Sequence, residues 1–335
     1  MFRRGKQIMR TYIFIPPVRK PTGGITVFCQ IASILARHDK DVQLVMREKG
    51  SWMPTLAEGY PAPVHWDEVS LKPEDIWLVP EGWVNSLAPG LNAGARCVVY
   101  CQNWAYLFSS LPEGVSWAGL PVTFLAVSHP VQWFMQQTVK TTSPILRPGI
   151  DTDLFHAPEK KPSGKIRIAY MPRKNKAMVS QIKSIFESRN PGSAVRWVEI
   201  AGMDAEGVAQ TLRSCHIFLA SGFPEGFSLP PLEALASGCI PVGFSGFGGW
   251  DYMRQLEGAT FEPWWPLREV PWSGNGFWSA DADVLDAAFN LEKALSLWRD
   301  GGPLLDSALE AGQQTIRSYT IKEQEKAVLN IWDNF

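Results

Sequence analysis

Short apolar runs and longer amphipathic stretches alternate along most of this chain. The run at 11–15 (TYIFI) is continuous and brief, and reads as a buried strand. From Ile25 to about Arg37, Val27, Phe28, Ile31, Ile34 and Leu35 recur at helical spacing on one face. Runs at 42–46, 76–79, 97–101 and 122–127 are each bounded by turn residues and read as further strands. A second series opens with IRIAYM at 166–171. It continues with a helix near 177–189, a strand at 195–200, a helix at 205–214 and strands at 217–220 and 239–244. Helices follow at 283–299, 303–317 and 320–333. The Pro- and Trp-rich stretch 262–279 reads as an irregular loop excursion.

This alternation, met twice, predicts an α/β chain of two Rossmann-like domains. The segment PEKKPSGK at 158–165 has the composition of a linker between them. There is no internal repeat and no low-complexity tract.

Residues 221–238, SGFPEGFSLPPLEALASG, place Glu225 and Glu233 on either side of a loop-to-helix junction. Pro230 and Pro231 suit the first turn of a helix, where a missing N–H costs nothing. Ser228 suits the N-cap and Gly238 the left-handed residue that ends the helix. In a doubly wound sheet such a loop opens at the carboxyl end of a strand, where ligands bind. Both acids are then expected to face one crevice.

Composition narrows the function classes. The net charge is −1, so no general basic field points to nucleic acid. The basic cluster Arg3, Arg4, Lys6 and Arg10 reads as a solvated tail, or as a patch that visits a membrane surface. No apolar run reaches the roughly 18 residues that a membrane span needs, and no signal peptide is visible. A cytoplasmic protein, or one peripheral at the inner membrane face, is expected. Cys29, Cys97, Cys101, Cys215 and Cys239 are odd in number, form no CxxC pair and read as buried free thiols. Two DxD strings, at Asp151/Asp153 and Asp281/Asp283, raise a metal reading. The first sits inside the segment ILRPGIDTDLF at 145–155, and the second reads as an N-cap with a first-turn acid.

Two Rossmann-like domains with a Glu-x7-Glu pair resemble the retaining glycosyltransferases of the GT-B fold, family 4 (group 1). Other segments carry the likeness further. Gly23-Gly24 resembles the family's amino-terminal glycine loop, and Ala126-Val127-Ser128 the segment before the exit from the first domain. ILRPGIDTDLF at 145–155 is similar to the interdomain crossover signature. Arg173 with Lys174 or Lys176 stands where the family keeps diphosphate-binding cations. SYTIKEQEKAVLNIW resembles the final helix that crosses back to the first domain. The resemblance covers most of the chain.

It implies domains at 1–147 (with 318–335) and 148–317, facing a central cleft. The donor would be a nucleotide diphosphate sugar carrying UDP, GDP or dTDP, and no metal or other cofactor would be required. The acceptor would be a glycan, a lipid-linked molecule or a small molecule, and the setting surface polysaccharide or glycoconjugate synthesis. Glu233 would take the ribose hydroxyls and Glu225 the hydroxyls of a transferred hexose or deoxyhexose. Arg173, Lys174 and Lys176 would hold the diphosphate, because anions want cation clamps and helix-start N–H groups. Gly23, Gly24, Gly226, Phe227, Ser228 and Leu229 would bring backbone close to the donor.

Some positions depart from the family pattern. Gln102-Asn103 stands where many members carry a His-Asp pair, although subsets resembling rhamnosyl and surface-polysaccharide enzymes carry Gln. Gln102 can donate a hydrogen bond but cannot shuttle a proton as His can. Asn103, Trp104 and His129 are the acceptor-side candidates, with a core or capping role as the rival reading for His129. Asp251, after Gly248-Gly249-Trp250, reads as a helix cap. The 15 tryptophans read as packing. Trp104, Tyr106, Phe108, Trp264 and Trp265, in loops, are candidates for stacking on sugar faces. An epimerase on the same fold, or a silent sugar-nucleotide or glycan-binding subunit, are the competing functions.

Overall fold

The computed structural model describes residues 9–19, 22–48 and 62–335. It divides into two compact units. The first runs through Pro148 and takes in Gln324–Phe335 at the end of the chain; the second is Gly149–Glu323. Arg3, Arg4 and Lys6 of the basic cluster lie outside the described residues.

The first unit holds the strands β1 (Thr11–Ile15), β2 (Val42–Met46), β3 (Val64–His65), β4 (Ile76–Pro80), β5 (Arg96–Cys101) and β6 (Val122–Ala126). Its helices are α1 (Gly23–Arg37), α2 (Ala88–Ala93), α3 (Tyr106–Ser109) and α4 (His129–Thr138). The strands form one parallel sheet in the order β3-β2-β1-β4-β5-β6. That is the order of a dinucleotide-binding sheet, reversing between β1 and β4. Ile13 pairs with Leu44 on one side and Leu78 on the other, and every residue of β1 is buried. A strand with neighbours on both sides and helices above and below reads as an unbroken apolar run, which is why TYIFI does.

The second unit holds β7 (Ile166–Tyr170), β8 (Val195–Glu199), β9 (Ile217–Ala220), β10 (Ile240–Phe244) and β11 (Phe277–Ser279). Its helices are α5 (Lys176–Arg189), α6 (Ala205–Ser214), α7 (Leu229–Ala236), α8 (Val284–Asp300) and α9 (Pro303–Arg317), and α10 (Ile321–Asp333) leads out of it. The parallel order is β11-β10-β9-β7-β8, with the reversal between β7 and β9. Ile168, Leu219, Val242 and Phe244 pack under Ile182 and Phe186 of α5 and Leu291 of α8.

From Gln324 on, α10 belongs to the first unit. Trp332 Nε1 donates to Thr11 Oγ1 at 2.9 Å, and Glu325 meets His38 at 2.5 Å. Lys40 pairs with Asp333.

Two expectations are corrected. The segment 158–165 lies inside the second unit and is no linker: Lys161 Nζ donates to the carbonyls of Leu212, Arg213 and Ser237, neutralising the ends of α6 and α7. The stretch 262–279 is not wholly irregular, because Phe277–Ser279 is a strand pairing with Val242–Phe244. Its brevity and the preceding Gly and Pro hid it. Helix α4 also escaped the apolar pattern, because it buries only Pro130, Val131 and Met135.

Candidate active site

In the second unit the loops that follow β7 and β9 lie side by side at the carboxyl edge, on the two strands where the order reverses. Asn175 joins them. Its side-chain N–H groups donate to the carbonyls of Ser221 (2.8 Å) and Phe223 (3.1 Å), and its backbone is left-handed at φ 57°. Lys174 Nζ reaches across to Glu225 Oε1 at 2.7 Å and to the Pro224 carbonyl at 3.3 Å. A cavity of about 130 Å³ opens here, lined by Arg173, Lys174, Ser221, Glu225, Ser228 and Pro230, among others.

The first turn of α5 contains no acid. It begins at Lys176, with Arg173 and Lys174 just before it. Cations at the positive end of a helix are opposed by its dipole, which favours an anion there; Glu225 supplies one to Lys174.

Glu225 is fixed through its backbone. Its N–H donates to the Gly246 carbonyl and its carbonyl accepts from Gly248 N–H, both at 3.0 Å. Gly246 is left-handed (φ 64°) and its N–H donates to Asp281 Oδ1 at 2.9 Å. A Cβ on Gly248 would fall 2.0 Å from the Gly226 carbonyl carbon and oxygen, so the two loops touch backbone to backbone. Burial, opposed by those N–H donors, raises the Asp281 carboxyl to about 6.

Helix α7 starts after Ser228 with Leu229, and Pro230 and Pro231 follow in its first turn. Ser228 occupies the cap position, but it is left-handed (φ 69°) and its side chain caps nothing; its carbonyl accepts from Tyr252 Oη at 2.6 Å. Gly238 is left-handed at φ 74°, as the reading of the helix end expects. Phe227 is buried between Tyr252 and Tyr319, at ring distances of 5.6 and 5.5 Å. Glu233 lies one turn into α7, and burial raises its carboxyl to about 7. Its side chain is partly accessible and has no hydrogen-bond or ion-pair partner among the described residues. The cavity is lined by Glu225 and Ser228; Glu233, Lys176, Gly226, Phe227 and Leu229 lie outside its lining. Glu225 lines the cavity, and Glu233 lies one turn further along the helix whose Pro230 and Pro231 border it.

In the first unit, Gly23 and Gly24 form the first turn of α1 rather than a loop, with Thr22 Oγ1 accepting from Ile25 N–H. Gln102 Nε2 donates to the Gly24 carbonyl at 3.2 Å. Gln102 and Asn103 N–H both donate to the carboxylate of Glu81, each at 2.9 Å. Glu81 is 3% exposed, and burial raises it to about 7 against the pull of those donors. The sequence reading missed Glu81; a lone acid closing the apolar run of β4 was the available signal. Asn103 Oδ1 accepts from Ala105 N–H, and the Trp104 ring packs on Phe134 at 5.6 Å. His129 is the partly buried first residue of α4, behind the capping Ser128. Cys101 and Ala126 are register partners, so Gln102, Asn103 and His129 share one sheet edge.

The remaining polar candidates have structural roles. Asp151 Oδ1 accepts from the N–H groups of Asp153 and Leu154, and Asp283 caps α8. Asp251 is not a helix cap: it is fully buried, accepting from Tyr319 Oη at 2.8 Å with Arg268 Nε at 3.7 Å. All five cysteines are buried and unpaired. Among the described residues no group of three or more acids, histidines or cysteines could hold a metal, and no helix is long and apolar enough to cross a membrane.

With this geometry established, comparison with known proteins adds the following. No family model matches the chain. A stretch of 186 residues is 28% identical to an alpha-1,6-glucosyltransferase of Actinobacillus pleuropneumoniae serotype 7 (strain AP76). It covers 54% of this chain and 56% of that protein, so the chain spans little more than half the length of the curated relative. A glycosyltransferase from Rickettsia africae ESF-5 superposes with a TM-score of 0.68 at 12% identity, over 97% of this chain and 98% of that one. An Escherichia coli structure described as trehalose-6-phosphate bound with UDP-2-fluoro glucose gives 0.64 at 9% identity, over 97% and 99%. The catalytic domain of starch synthase IV from Arabidopsis thaliana, bound to ADP and acarbose, gives 0.58 at 13%, over 98% and 99%. The chain has the GT-B fold: two parallel α/β sheets with alternating helices.

Proposed function

We propose that this chain is a glycosyltransferase that moves a sugar from a nucleotide diphosphate sugar to an acceptor hydroxyl. One observation carries the reading. Arg173, Lys174 and Glu225 converge on a cavity at the strand-order reversal of the second unit, before a helix whose first turn has Lys176 and no acid. A diphosphate suits these cations and the helix start, and sugar hydroxyls supply donors for Glu225. Glu233, a carboxylate with no side-chain partner among the described residues, is suited to a vicinal diol such as ribose. At about 130 Å³ the cavity holds only part of such a donor. The alpha-1,6-glucosyltransferase relative and the structures holding UDP-2-fluoro glucose or ADP support the same class.

In the reaction, the bond from the anomeric carbon to the diphosphate breaks and a bond to the acceptor oxygen forms. Arg173, Lys174 and Lys176 stabilise the departing charge. We place retention of anomeric configuration here too, with the leaving phosphate oxygen taking the acceptor proton on the same face, and no metal. Gln102 and Asn103, locked by Glu81, present side chains on the acceptor side with His129 and Trp104. Five free thiols fit a reducing, cytoplasmic setting, and a surface glycan is the acceptor class we favour.

Equilibrium titration of the purified chain with UDP-, GDP-, dTDP- and ADP-sugars tests the donor site. One nucleotide should bind, and Glu233→Ala should weaken it at least tenfold. Equal binding by both proteins would remove Glu233 from the donor site. Proton NMR of the product's anomeric signal tests retention, and an inverted anomer would refute it.

A further inference from the structure

We propose that Phe247, Trp265 and Trp264 form a stacking platform for an uncharged oligosaccharide, beside the Glu225 loop; this rests on the transferase reading and names its acceptor as a glycan chain. Glu225 and Phe247 are β-bridge partners, so Phe247 is held against the segment proposed to carry the donor sugar. The Phe247 ring packs on Trp265 at 4.8 Å, and Trp264 stands edge-on to Trp265 at 5.8 Å and 89°. The three rings run outward from the Glu225 loop to a Trp264 that is 83% exposed.

Two costs accompany this arrangement. Phe247 has φ 73° and ψ −58°, a left-handed backbone that a bulky side chain rarely adopts. The Trp265 indole N–H is enclosed without an acceptor. Neither is needed to build the sheet, and strain of this kind persists where a site depends on it.

Charge selects the occupant. Glu257, Glu262 and Glu269 are exposed on the same loop. Arg268, its one cation, is committed to the Asp251 carbonyl at 2.9 Å and to Tyr319 Oη at 2.6 Å. A loop that exposes three carboxylates repels anionic lipid headgroups. It accepts hydrogen bonds from sugar hydroxyls, while the indole faces take the C–H faces of the rings.

The test is tryptophan fluorescence titration of the full chain with maltoheptaose, isomaltoheptaose and chitohexaose, and sedimentation with phosphatidylglycerol/phosphatidylethanolamine vesicles. The proposal expects one oligosaccharide to quench the wild-type protein. Trp264→Ala should weaken that binding at least tenfold, and Trp264→Phe less. The high exposure of Trp264 makes misfolding of these variants no obstacle. If no oligosaccharide binds, or Trp264→Ala binds equally well, the platform is overturned. Loss of vesicle binding in Trp264→Ala with oligosaccharide binding unchanged overturns it in favour of a membrane. Glu233→Ala separates the two readings. Glycan binding retained while donor binding is lost supports both. Glycan binding dependent on Trp264 with donor binding indifferent to Glu233 keeps the platform and removes the donor site.

Discussion

Gly24 and Gln102, 78 positions apart, are in close approach: a Cβ at 24 would fall 2.3 Å from Gln102 Oε1 and push that side chain aside. The amide of Gln102 also donates to the Gly24 carbonyl, so the start of α1 and the end of β5 are fastened across the strand-order reversal. Gly24→Ala should raise the helix propensity of the first turn by up to ~1 kcal/mol while displacing Gln102. The expected result is a turnover loss of tenfold or more with little change in melting temperature. In a Gln102→Ala background the same change should cost no further turnover. A further loss there would mean that Gly24 acts independently of Gln102.

Lys174 and Glu225 are both partly accessible, so their ion pair contributes only about 0–1 kcal/mol to folding. Their value lies in the chemistry. Lys174→Met and Glu225→Gln should each lower turnover by roughly a hundredfold with melting temperatures close to wild type. A large stability loss without a turnover defect would mark the pair as structural.

Glu233 links pH to both folding and binding. Its folded carboxyl is raised from 4.5 to about 7 by burial. The folded protein therefore holds a proton that the unfolded chain releases. The stability this gives is full below pH 4.5 and is lost as pH rises through about 7. Glu233→Gln should raise the melting temperature at pH 8, by roughly 2–4 °C for each kcal/mol relieved. Donor affinity of the wild type should increase from pH 6 to pH 8 as the carboxylate ionises and accepts the diol, and should be flat in the variant. Calorimetry at both pH values checks this.

Gly248 lies so close to the Gly226 carbonyl that any side chain must separate the loops. Gly248→Ala should weaken donor binding at least tenfold by moving Glu225, whose carbonyl Gly248 N–H holds. Unchanged donor affinity would show that the two loops move independently of the site.

Strands were legible in the sequence because both sheets are parallel and covered on two faces, which leaves short continuous apolar runs such as TYIFI and IFLA. The Glu225 loop was legible because Pro230, Pro231 and Gly238 mark a helix at both ends. What escaped depends on long-range placement. Glu81 looks like a surface acid until Gln102 and Asn103 are folded onto it. Phe277–Ser279 becomes a strand only because β10 offers it an edge.

Turnover tests the central claim most directly. The purified chain, Glu225→Ala and Glu233→Ala are incubated with UDP-, GDP-, dTDP- and ADP-sugars, and free nucleoside diphosphate is assayed over time. Release from one donor by the wild-type protein, lost in both variants, is the predicted result. Release that persists unchanged in both variants would contradict the account, because the chemistry would then lie elsewhere in the chain.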